Sequence, residues 1–269
     1  MRIRVIDAFT HTPFRGNPAA VCLLSCDTWP DEKWMQLLAR EMNLSETVFA
    51  LPGVDGVDYG IRWFTPTLEV NMCGHATLAT AYALHLDRGT PGTVKFSSRS
   101  GILAVESFAD GSMTMDFPAS PTTPVPAPDG LAEALGCEIV GTYNTASVGD
   151  LLVEVADEQT VRGLTPDLAA LVRGHGVRGF IVTARATEYD FVSRLFAPGA
   201  GIPEDPVTGS AHTALAPFWG ERLGKTDLVG FQASARTGVV RTQVRGDRVL
   251  LTGSAVLVLD GQLQPAALP

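Results

Sequence analysis

A five-residue motif that occurs twice constrains the fold of this chain more than any other feature. The segment Arg62–Pro66 reads RWFTP, and Arg194–Pro198, which lies 132 positions later, reads RLFAP. In each copy a loop and a small-residue turn follow, at Gly74 in the first and at Gly209 in the second, and an apolar segment comes next. Because the order of segments recurs together with the motif, the pattern predicts an internal duplication and therefore two similar halves.

A proline-rich segment separates the two copies. Residues 118–129 contain five prolines, which remove backbone donors and oppose a continuous helix or a central strand. A chain of 269 residues has room for two domains of ordinary size. We therefore predict an N-terminal half over 1–117, a linker over 118–129 and a C-terminal half over 130–269. Whether the terminal strand packs on the first half is left open.

Local patterns predict the elements of each half. Helical periodicity after an acidic start predicts a helix over Asp31–Met42. Its apolar face would carry Trp34, Leu37, Leu38 and Met42. The segment Gly74–Leu86 is almost wholly apolar and predicts an enclosed helix, and Thr213–Trp219 predicts its counterpart. Apolar alternation predicts strands over Arg2–Phe9, Ala19–Leu24, Tyr59–Phe64, Val94–Ser98 and Ser112–Phe117. Together they predict an α+β fold of two pseudo-symmetric halves, each a strongly curved mixed or antiparallel sheet wrapped round one central helix.

The duplication also predicts where a ligand binds. Two halves related by a pseudo-twofold axis would bring the helix starts at Gly74 and Gly209 to a single cleft. The first turn of a helix presents unpaired N–H groups and a partial positive charge. We therefore expect a small anionic metabolite as the partner, even though the chain itself is acidic.

The charge and composition exclude several classes of protein. The net charge is −9 and the basic residues are scattered singly, so the chain lacks the basic stripe of a nucleic-acid-binding protein. No apolar stretch approaches the roughly 18 to 20 residues that cross a bilayer, and the first residues do not resemble a signal peptide. The four cysteines lack zinc-ribbon spacing and are too sparse for a disulfide scaffold, so we expect them to be reduced. These features predict a cytoplasmic protein without nucleic-acid or membrane partners.

Five separate motifs carry a family resemblance that spans essentially the whole chain. They are Gly16–Val21, Leu44–Thr47, Phe64–Pro66, Cys73–Thr77 and Glu204–Ala211. In this order they resemble the phenazine biosynthesis PhzF-like family. The resemblance implies the diaminopimelate epimerase-like fold, no cofactor, commonly a homodimer, and a proton-transfer isomerase. The namesake activity isomerises trans-2,3-dihydro-3-hydroxyanthranilate by moving a hydrogen between ring carbons.

The resemblance also implies roles for individual residues. Glu46 matches the family's proton shuttle, and the alternative for this residue is a solvent-facing strand edge or a helix cap. His75 matches the active-site histidine, and the alternative is an exposed first-turn residue. Asp205 and Ser210 match the family's second turn, where Asp205 would hold a substrate amine or polarise the other two groups. Ser210, together with the backbone amides of Gly74 and Gly209, would bind a carboxylate. An ordinary turn and a plain N-cap are the alternatives for Asp205 and Ser210.

Cys73 occupies the position of one catalytic thiol in the related epimerases and proline racemases. The second half contains no cysteine at its matching turn, which disfavours a two-thiol racemase. A helix N-terminus lowers the pKa of a thiol, so that Cys73 is either a reactive thiol near the substrate or a small buried apolar residue.

Several further residues are weaker candidates. Asn17 would fix a turn beside the cleft. Asn71 stands where the family pattern has an aspartate, which leaves the substrate preference in doubt. Arg15 is a candidate cleft cation, whereas equivalent positions in both halves favour a structural role for Arg62 and Arg194.

Two isolated histidines do not make a metal site. His11 and His175 have no partner at helical ligand spacing, so we predict no metal.

Three functions remain open from the sequence. The first is an isomerase in which Glu46 shuttles a proton within one face of the substrate. The second is an amino-acid epimerase with Glu46 or Cys73 opposite Asp205, because inversion requires bases on both faces. The third is a noncatalytic small-molecule binding protein that retains the fold. The physiological substrate does not follow from the sequence.

Overall fold

The computed structural model describes residues 1–53, 56–89, 91–173 and 176–269, and His175 lies outside these residues. The chain divides into two compact units. The first contains Met1–Asp116 together with Thr252–Pro269, and the second contains Phe117–Leu251. The last strand of the chain therefore belongs to the first unit.

The elements alternate in a similar order in both units. The first part of the chain contains β1 (Arg2–Ala8), β2 (Asn17–Leu23), α1 (Glu32–Met42), β3 (Glu46–Pro52), β4 (Tyr59–Phe64), β5 (Glu69–Val70), α2 (Gly74–Arg88), β6 (Gly92–Ser98), β7 (Gly101–Ser107) and β8 (Met113–Pro118). It is followed by β9 (Thr123–Val125), α3 (Leu131–Leu135), β10 (Gly141–Asn144), β11 (Leu151–Glu154), α4 (Glu158–Gly163), α5 (Leu168–Val172), β12 (Phe180–Arg185), β13 (Phe191–Ala197), β14 (Ile202–Asp205), α6 (Gly209–Leu223), β15 (Asp227–Gln232), β16 (Gly238–Arg245), β17 (Arg248–Gly253) and β18 (Ala255–Gln262).

The strand pairings of the two units match. In the first unit β1 is antiparallel to β2, β2 is parallel to β3, β3 is antiparallel to β4, and β4 is antiparallel to β5 and parallel to β6. In the second unit β10, β11, β12, β13, β14 and β15 follow the same sequence of antiparallel and parallel pairings. β18 adds to the first unit by pairing antiparallel with β1. The duplication therefore extends well beyond the motif that revealed it.

Each unit buries one long apolar helix. Nine residues of α2 are buried, and this helix packs against β1, β2, β3 and β7. Ten residues of α6 are buried, and this helix packs against β15 and β16. Both helices end at a glycine in the left-handed conformation, Gly89 and Gly224. The sequence prediction of two enclosed helices is confirmed, and both run longer than predicted.

The repeated Arg-x-Phe-x-Pro motif has a structural function. Arg62 donates two hydrogen bonds of 2.7 Å to the carboxylate of Glu69, and its guanidinium lies 5.2 Å from the ring centroid of Phe64. Arg194 pairs in the same way with Glu204, at 2.7 and 3.0 Å, and lies 4.8 Å from the ring of Phe196. In each unit the arginine thus ties two neighbouring strands together.

Two predictions about the first half and the linker need correction. α1 begins at Glu32 because the Asp31 carboxylate accepts hydrogen bonds from two first-turn N–H groups. Its buried face carries Met35, Leu38 and Ala39, whereas Leu37 is 58 % exposed, so the predicted apolar face was partly wrong. The proline-rich segment is not a bare linker, because it contains β9, which pairs with β10.

Candidate active site

Glu46 begins β3 in the first unit. Its backbone lies opposite Ala19 of β2, and the residue is only 8 % exposed. The remaining residues of β3 up to Leu51 are buried as well, since the strand runs between β2 and β4. The alternative of a solvent-facing glutamate is therefore wrong for this residue.

His75 meets Glu46 from the first turn of α2. Its Nε2 lies 3.1 Å from Oε2 of Glu46, and His75 is 4 % exposed. The two atoms form an ion pair when His75 is protonated, and within the described part of the chain neither atom makes a further hydrogen bond. Buried polar atoms are seldom left in this state, because an unmade hydrogen bond costs about 1–3 kcal/mol. The pair therefore retains hydrogen-bonding capacity that a ligand can use.

Cys73 flanks the other side of the His75 ring. Its Sγ lies 3.4 Å from His75 Nδ1. Burial, and secondarily the negative charge of Glu46, raise the pKa of Cys73 to about 11, so the thiol is protonated at neutral pH. Of the two alternatives for Cys73, burial supports the small buried residue over the reactive thiol, since desolvation outweighs the helix N-terminus.

The ionisation of His75 is favoured by its neighbours. Burial opposes protonation, but the adjacent Cys73 sulfur and Glu46 carboxylate outweigh burial and raise the pKa of His75 well above its usual value. The direction favours a protonated imidazole facing the Glu46 carboxyl group.

The backbone at the start of α2 lacks a side-chain cap. Cys73 is the N-cap residue and its side chain makes no capping hydrogen bond. Its carbonyl accepts from the N–H and the hydroxyl of Thr77, at 3.2 and 2.6 Å. Gly74, the first residue of the helix, is half-buried. The first-turn amides are therefore left for another acceptor.

Asn17 lies on the strand next to Glu46. It begins β2, is fully buried, and precedes by two residues the partner of Glu46, Ala19. Gly16 before it has φ +67°, and a Cβ at this position would lie 2.1 Å from the carbonyl oxygen of Ala8. Only glycine fits this turn, which fixes the entry of Asn17 into the strand.

Glu46, Cys73 and His75 also form a group of possible metal ligands. One donor atom from each lies within 4.8 Å of the others. Both ring nitrogens of His75 already face Cys73 or Glu46, so an ion would have to separate one of these pairs. The absence of a metal stays a prediction.

In the second unit, a hydrogen-bonded network holds the turn from Asp205 to Thr208. Oδ2 of Asp205 accepts from the Thr208 hydroxyl at 2.5 Å. The fully buried Gln232 accepts from the Thr208 N–H at 2.8 Å, and it donates to the Asp205 carbonyl and to the Thr208 hydroxyl at 2.8 and 3.2 Å. No sequence signal pointed to Gln232. Gln232 lies 24 residues after Thr208 in the sequence, and only the pairing of strands brings it to the turn.

The start of α6 resembles the start of α2. Thr208 and His212 occupy the positions that Cys73 and Thr77 occupy in the first unit. Thr208 is the N-cap, and its carbonyl accepts from Nδ1–H of His212 at 2.8 Å. Burial lowers the pKa of His212 to about 4, so this histidine is neutral. Ser210 is the second helical residue and not the N-cap, which removes the plain-cap alternative.

Arg178 is a further residue that the sequence reasoning missed. It donates to the carboxylate of Asp150 through Nε and Nη2, at 2.9 and 2.5 Å, and its Nη2 lies 3.4 Å from the Ser210 hydroxyl oxygen. Burial opposes protonation of Arg178, but Asp150, with a smaller effect of Asp205, outweighs it and raises the pKa of Arg178.

The weaker candidates are all at the protein surface. His11 Nε2 is 3.0 Å from the hydroxyl oxygen of Ser254, Asn71 is exposed, and Arg15 is exposed. Within the described residues, no helix is long and apolar enough to cross a membrane. The first unit therefore gathers Asn17, Glu46, Cys73, Gly74 and His75, and the second gathers Asp205, Gly209 and Ser210.

Comparison with known proteins identifies the family. The family model described as phenazine biosynthesis-like protein matches residues 6–261. An uncharacterized isomerase of Pseudomonas aeruginosa is 51% identical over 260 residues, which is 96% of each chain. The crystal structure of a PhzF family phenazine biosynthesis protein from Enterococcus faecalis has a TM-score of 0.90 at 41% identity and 98% coverage of each chain.

The fold extends to more distant proteins. A hydroxyproline epimerase from Agrobacterium vitis has a TM-score of 0.65 at 13% identity, over 99% of this chain and 94% of that one. These likenesses confirm the predicted α+β fold and the resemblance that the five motifs carry. The chain therefore belongs to the phenazine biosynthesis-like (PhzF) protein family.

Proposed function

We propose that the protein is a cofactor-independent isomerase that moves a proton on a small carboxylate-bearing substrate. The names of its relatives support the reaction class, because similar chains over nearly their whole length are called isomerases. One observation carries the proposal for Glu46 and His75. Their facing Oε2 and Nε2 atoms are buried, 3.1 Å apart and without hydrogen-bond partners in the described part of the chain.

Glu46 is the proton shuttle in this proposal. Its carboxylate takes a proton from a carbon next to an electron-withdrawing group, and the electron pair of the broken C–H bond moves into the conjugated system. The proton is then delivered to another carbon, which restores the carboxylate. No electrons are gained or lost overall. His75 Nε2 faces the Glu46 carboxyl group at 3.1 Å, while the Cys73 contact on Nδ1 limits rotation of the imidazole ring.

The second unit contains groups that suit the polar ends of a small amino acid. The Asp205 carboxylate accepts a hydrogen bond from Thr208, and its backbone carbonyl accepts one from Gln232. Because the carboxylate is held in place, it suits an amine. Ser210 and the amide of Gly209 suit a carboxylate, and the amide of Gly74 in the first unit has the same capacity. A compound like trans-2,3-dihydro-3-hydroxyanthranilate carries both groups. Homodimer formation and a cytoplasmic location stay predictions.

An epimerase is less well supported. Thr208 stands at the N-cap of α6 where Cys73 stands at the N-cap of α2. A threonine hydroxyl does not replace a second thiol as a carbon base, and the Cys73 thiol keeps its proton at neutral pH.

Turnover in deuterated water tests the proposal. With trans-2,3-dihydro-3-hydroxyanthranilate as the probe, we expect a double-bond shift, and Glu46→Gln should lower kcat by about 10²–10⁴-fold, the usual contribution of a general base. Glu69→Gln is the matched control, because Glu69 is similarly buried but pairs with Arg62. Inversion at one stereocentre would support an epimerase instead. Unchanged turnover in Glu46→Gln would eliminate the shuttle, and unchanged binding without any wild-type turnover would support a noncatalytic protein.

A further inference from the structure

A buried carboxylate holds Arg178 at the second turn. The Asp150 side chain has no exposed surface, and its backbone is fixed by two hydrogen bonds with the Thr145 hydroxyl, at 2.6 and 3.1 Å. The backbone N–H of Arg178 donates to the Gly149 carbonyl at 3.0 Å. Since both ends of the pair are fixed, the guanidinium has a defined orientation.

The glycine that follows Arg178 is required for this arrangement. A Cβ on Gly179 would lie 3.2 Å from Oδ1 of Asp150 and 3.0 Å from both the Phe196 carbonyl oxygen and the Ala197 Cβ. A larger residue would push β12 from β13 or displace the Asp150 carboxylate. The absence of a side chain at position 179 therefore leaves the space in which Asp150 reaches Arg178.

The pairing with Asp150 does not occupy all hydrogen-bond donors of the Arg178 guanidinium. Its side chain remains 46 % exposed although its anchor is buried. Nε and Nη2 bind Asp150, whereas Nη1 makes no hydrogen bond within the described residues. Nη2 also lies 3.4 Å from the hydroxyl oxygen of Ser210. An arginine that only neutralised a buried carboxylate would not need a free, exposed edge beside a turn.

We propose that Arg178 is a further specificity-determining residue of the second turn and binds the carboxylate of the substrate. The inference rests on the proposed function for the identity of the site. Arg178 pairs with the substrate carboxylate through its exposed edge, and Ser210 donates to the same group. Asp205 disfavours a second anion nearby and favours the amine.

Binding of two small probes tests this inference without turnover. Anthranilate carries an amine next to a carboxylate, and anthranilamide has the same shape with no charge. We expect the wild-type protein to bind anthranilate more tightly, by calorimetry, and Arg178→Met to weaken anthranilate about 10- to 100-fold, as expected for a charge-assisted hydrogen bond. The affinity for anthranilamide should stay within about twofold. Equal affinities of the wild-type protein for both probes would overturn the proposal, and so would an unchanged preference in Arg178→Met.

A double variant and a matched control separate a loss of carboxylate binding from misfolding. Arg178→Met leaves Asp150 buried without its partner, so Arg178→Met/Asp150→Asn removes the pair together and should give the same loss of preference. Arg162→Met is the matched control, because Arg162 is 43 % exposed and also pairs with a carboxylate, that of Glu158. It should bind both probes like the wild-type protein, and a loss of preference in Arg162→Met would contradict the assignment.

Failure of this inference is distinguishable from failure of the proposed function. Glu46→Gln should lose turnover and keep its preference for anthranilate over anthranilamide. Arg178→Lys should raise KM for trans-2,3-dihydro-3-hydroxyanthranilate about tenfold while kcat changes little, since a lysine keeps the charge but not the paired geometry. A fall of about tenfold in kcat with an unchanged KM would show that Arg178 acts on the reaction step and not on carboxylate binding.

Discussion

The starts of α2 and α6 have the same backbone design and opposite chemistry. At each, an N-cap residue without a side-chain cap offers its carbonyl to a residue four positions later, Thr77 in the first unit and His212 in the second. In the first unit the surrounding side chains are Glu46 and His75, whose facing atoms lack hydrogen-bond partners in the described part of the chain. In the second, Gln232 saturates the turn with three hydrogen bonds.

This difference shows how the two copies of a duplicated fold can take different functions. The shared backbone positions a helix start in each unit, and the side chains decide whether it carries reactive or binding groups. Unmade hydrogen bonds belong to the reacting pair, while a saturated network suits residues that must hold a fixed position.

Substitution of His75 should have the largest effect on the difference between the two helix starts. We expect His75→Gln to lower kcat about a thousandfold, within the range of acid–base catalysis, because Glu46 loses the imidazolium. Steady-state kinetics with the namesake substrate measures this effect. His85→Gln, on the same helix and half-buried, is the control and should retain turnover. A fall of less than about threefold in His75→Gln would contradict the role of the pair.

The two buried histidines should respond to pH in opposite directions. His75 has a raised pKa, so it stabilises the fold at low pH, and this stability is lost as pH rises above about 6.5 through the folded-state pKa. His212 has a pKa lowered to about 4, so the unfolded chain binds the proton first. Its contribution is present above about 6.5 and lost as pH falls toward 4, by up to about 3 kcal/mol.

Chemical denaturation over a range of pH measures both effects. His212→Gln should flatten the loss of unfolding free energy between about pH 6.5 and 4, and His75→Gln should flatten the loss above about pH 6.5. Identical pH profiles for the two variants would contradict the opposite ionisation states.

The smallest expected effect concerns the saturated turn. Gln232→Leu should lower the free energy of unfolding by about 2 kcal/mol, because it leaves the Thr208 N–H buried without an acceptor. Gln232→Glu should restore that acceptor but lose both donated hydrogen bonds, so it should be intermediate. Gln243→Leu on the neighbouring strand is the control, and denaturant titration is the measurement. A neutral Gln232→Leu would mean that the turn does not depend on this network.

Local sequence patterns predicted the elements with strong periodicity. The strand Tyr59–Phe64 was predicted with its observed bounds, and the helix starts at Gly74 and Gly209 were predicted from the turns before them. The buried face of α1 was harder, because Leu37 and Met35 are both apolar and only packing against the sheet decides between them.

Long-range partners were beyond local patterns. The roles of Gln232, Asp150 and Arg178 depend on side chains 24 to 32 residues away that strand pairing brings together. The choice between a reactive and a buried Cys73 was left open by the sequence for a related reason. The position of Cys73 at a helix start is visible in the sequence, but the burial that outweighs the helix is a property of the assembled unit.

The pairing of β18 with β1 sets an order for folding on the ribosome. The second unit is continuous in sequence, so all of its strands are available once Leu251 has been synthesised. In the first unit β1 pairs with β2 on one edge, but the other edge of β1 lacks its partner until residues 255–262 have emerged. During synthesis the edge of β1 is therefore exposed while the later unit is already complete, and the half that contains Glu46 is the last to close.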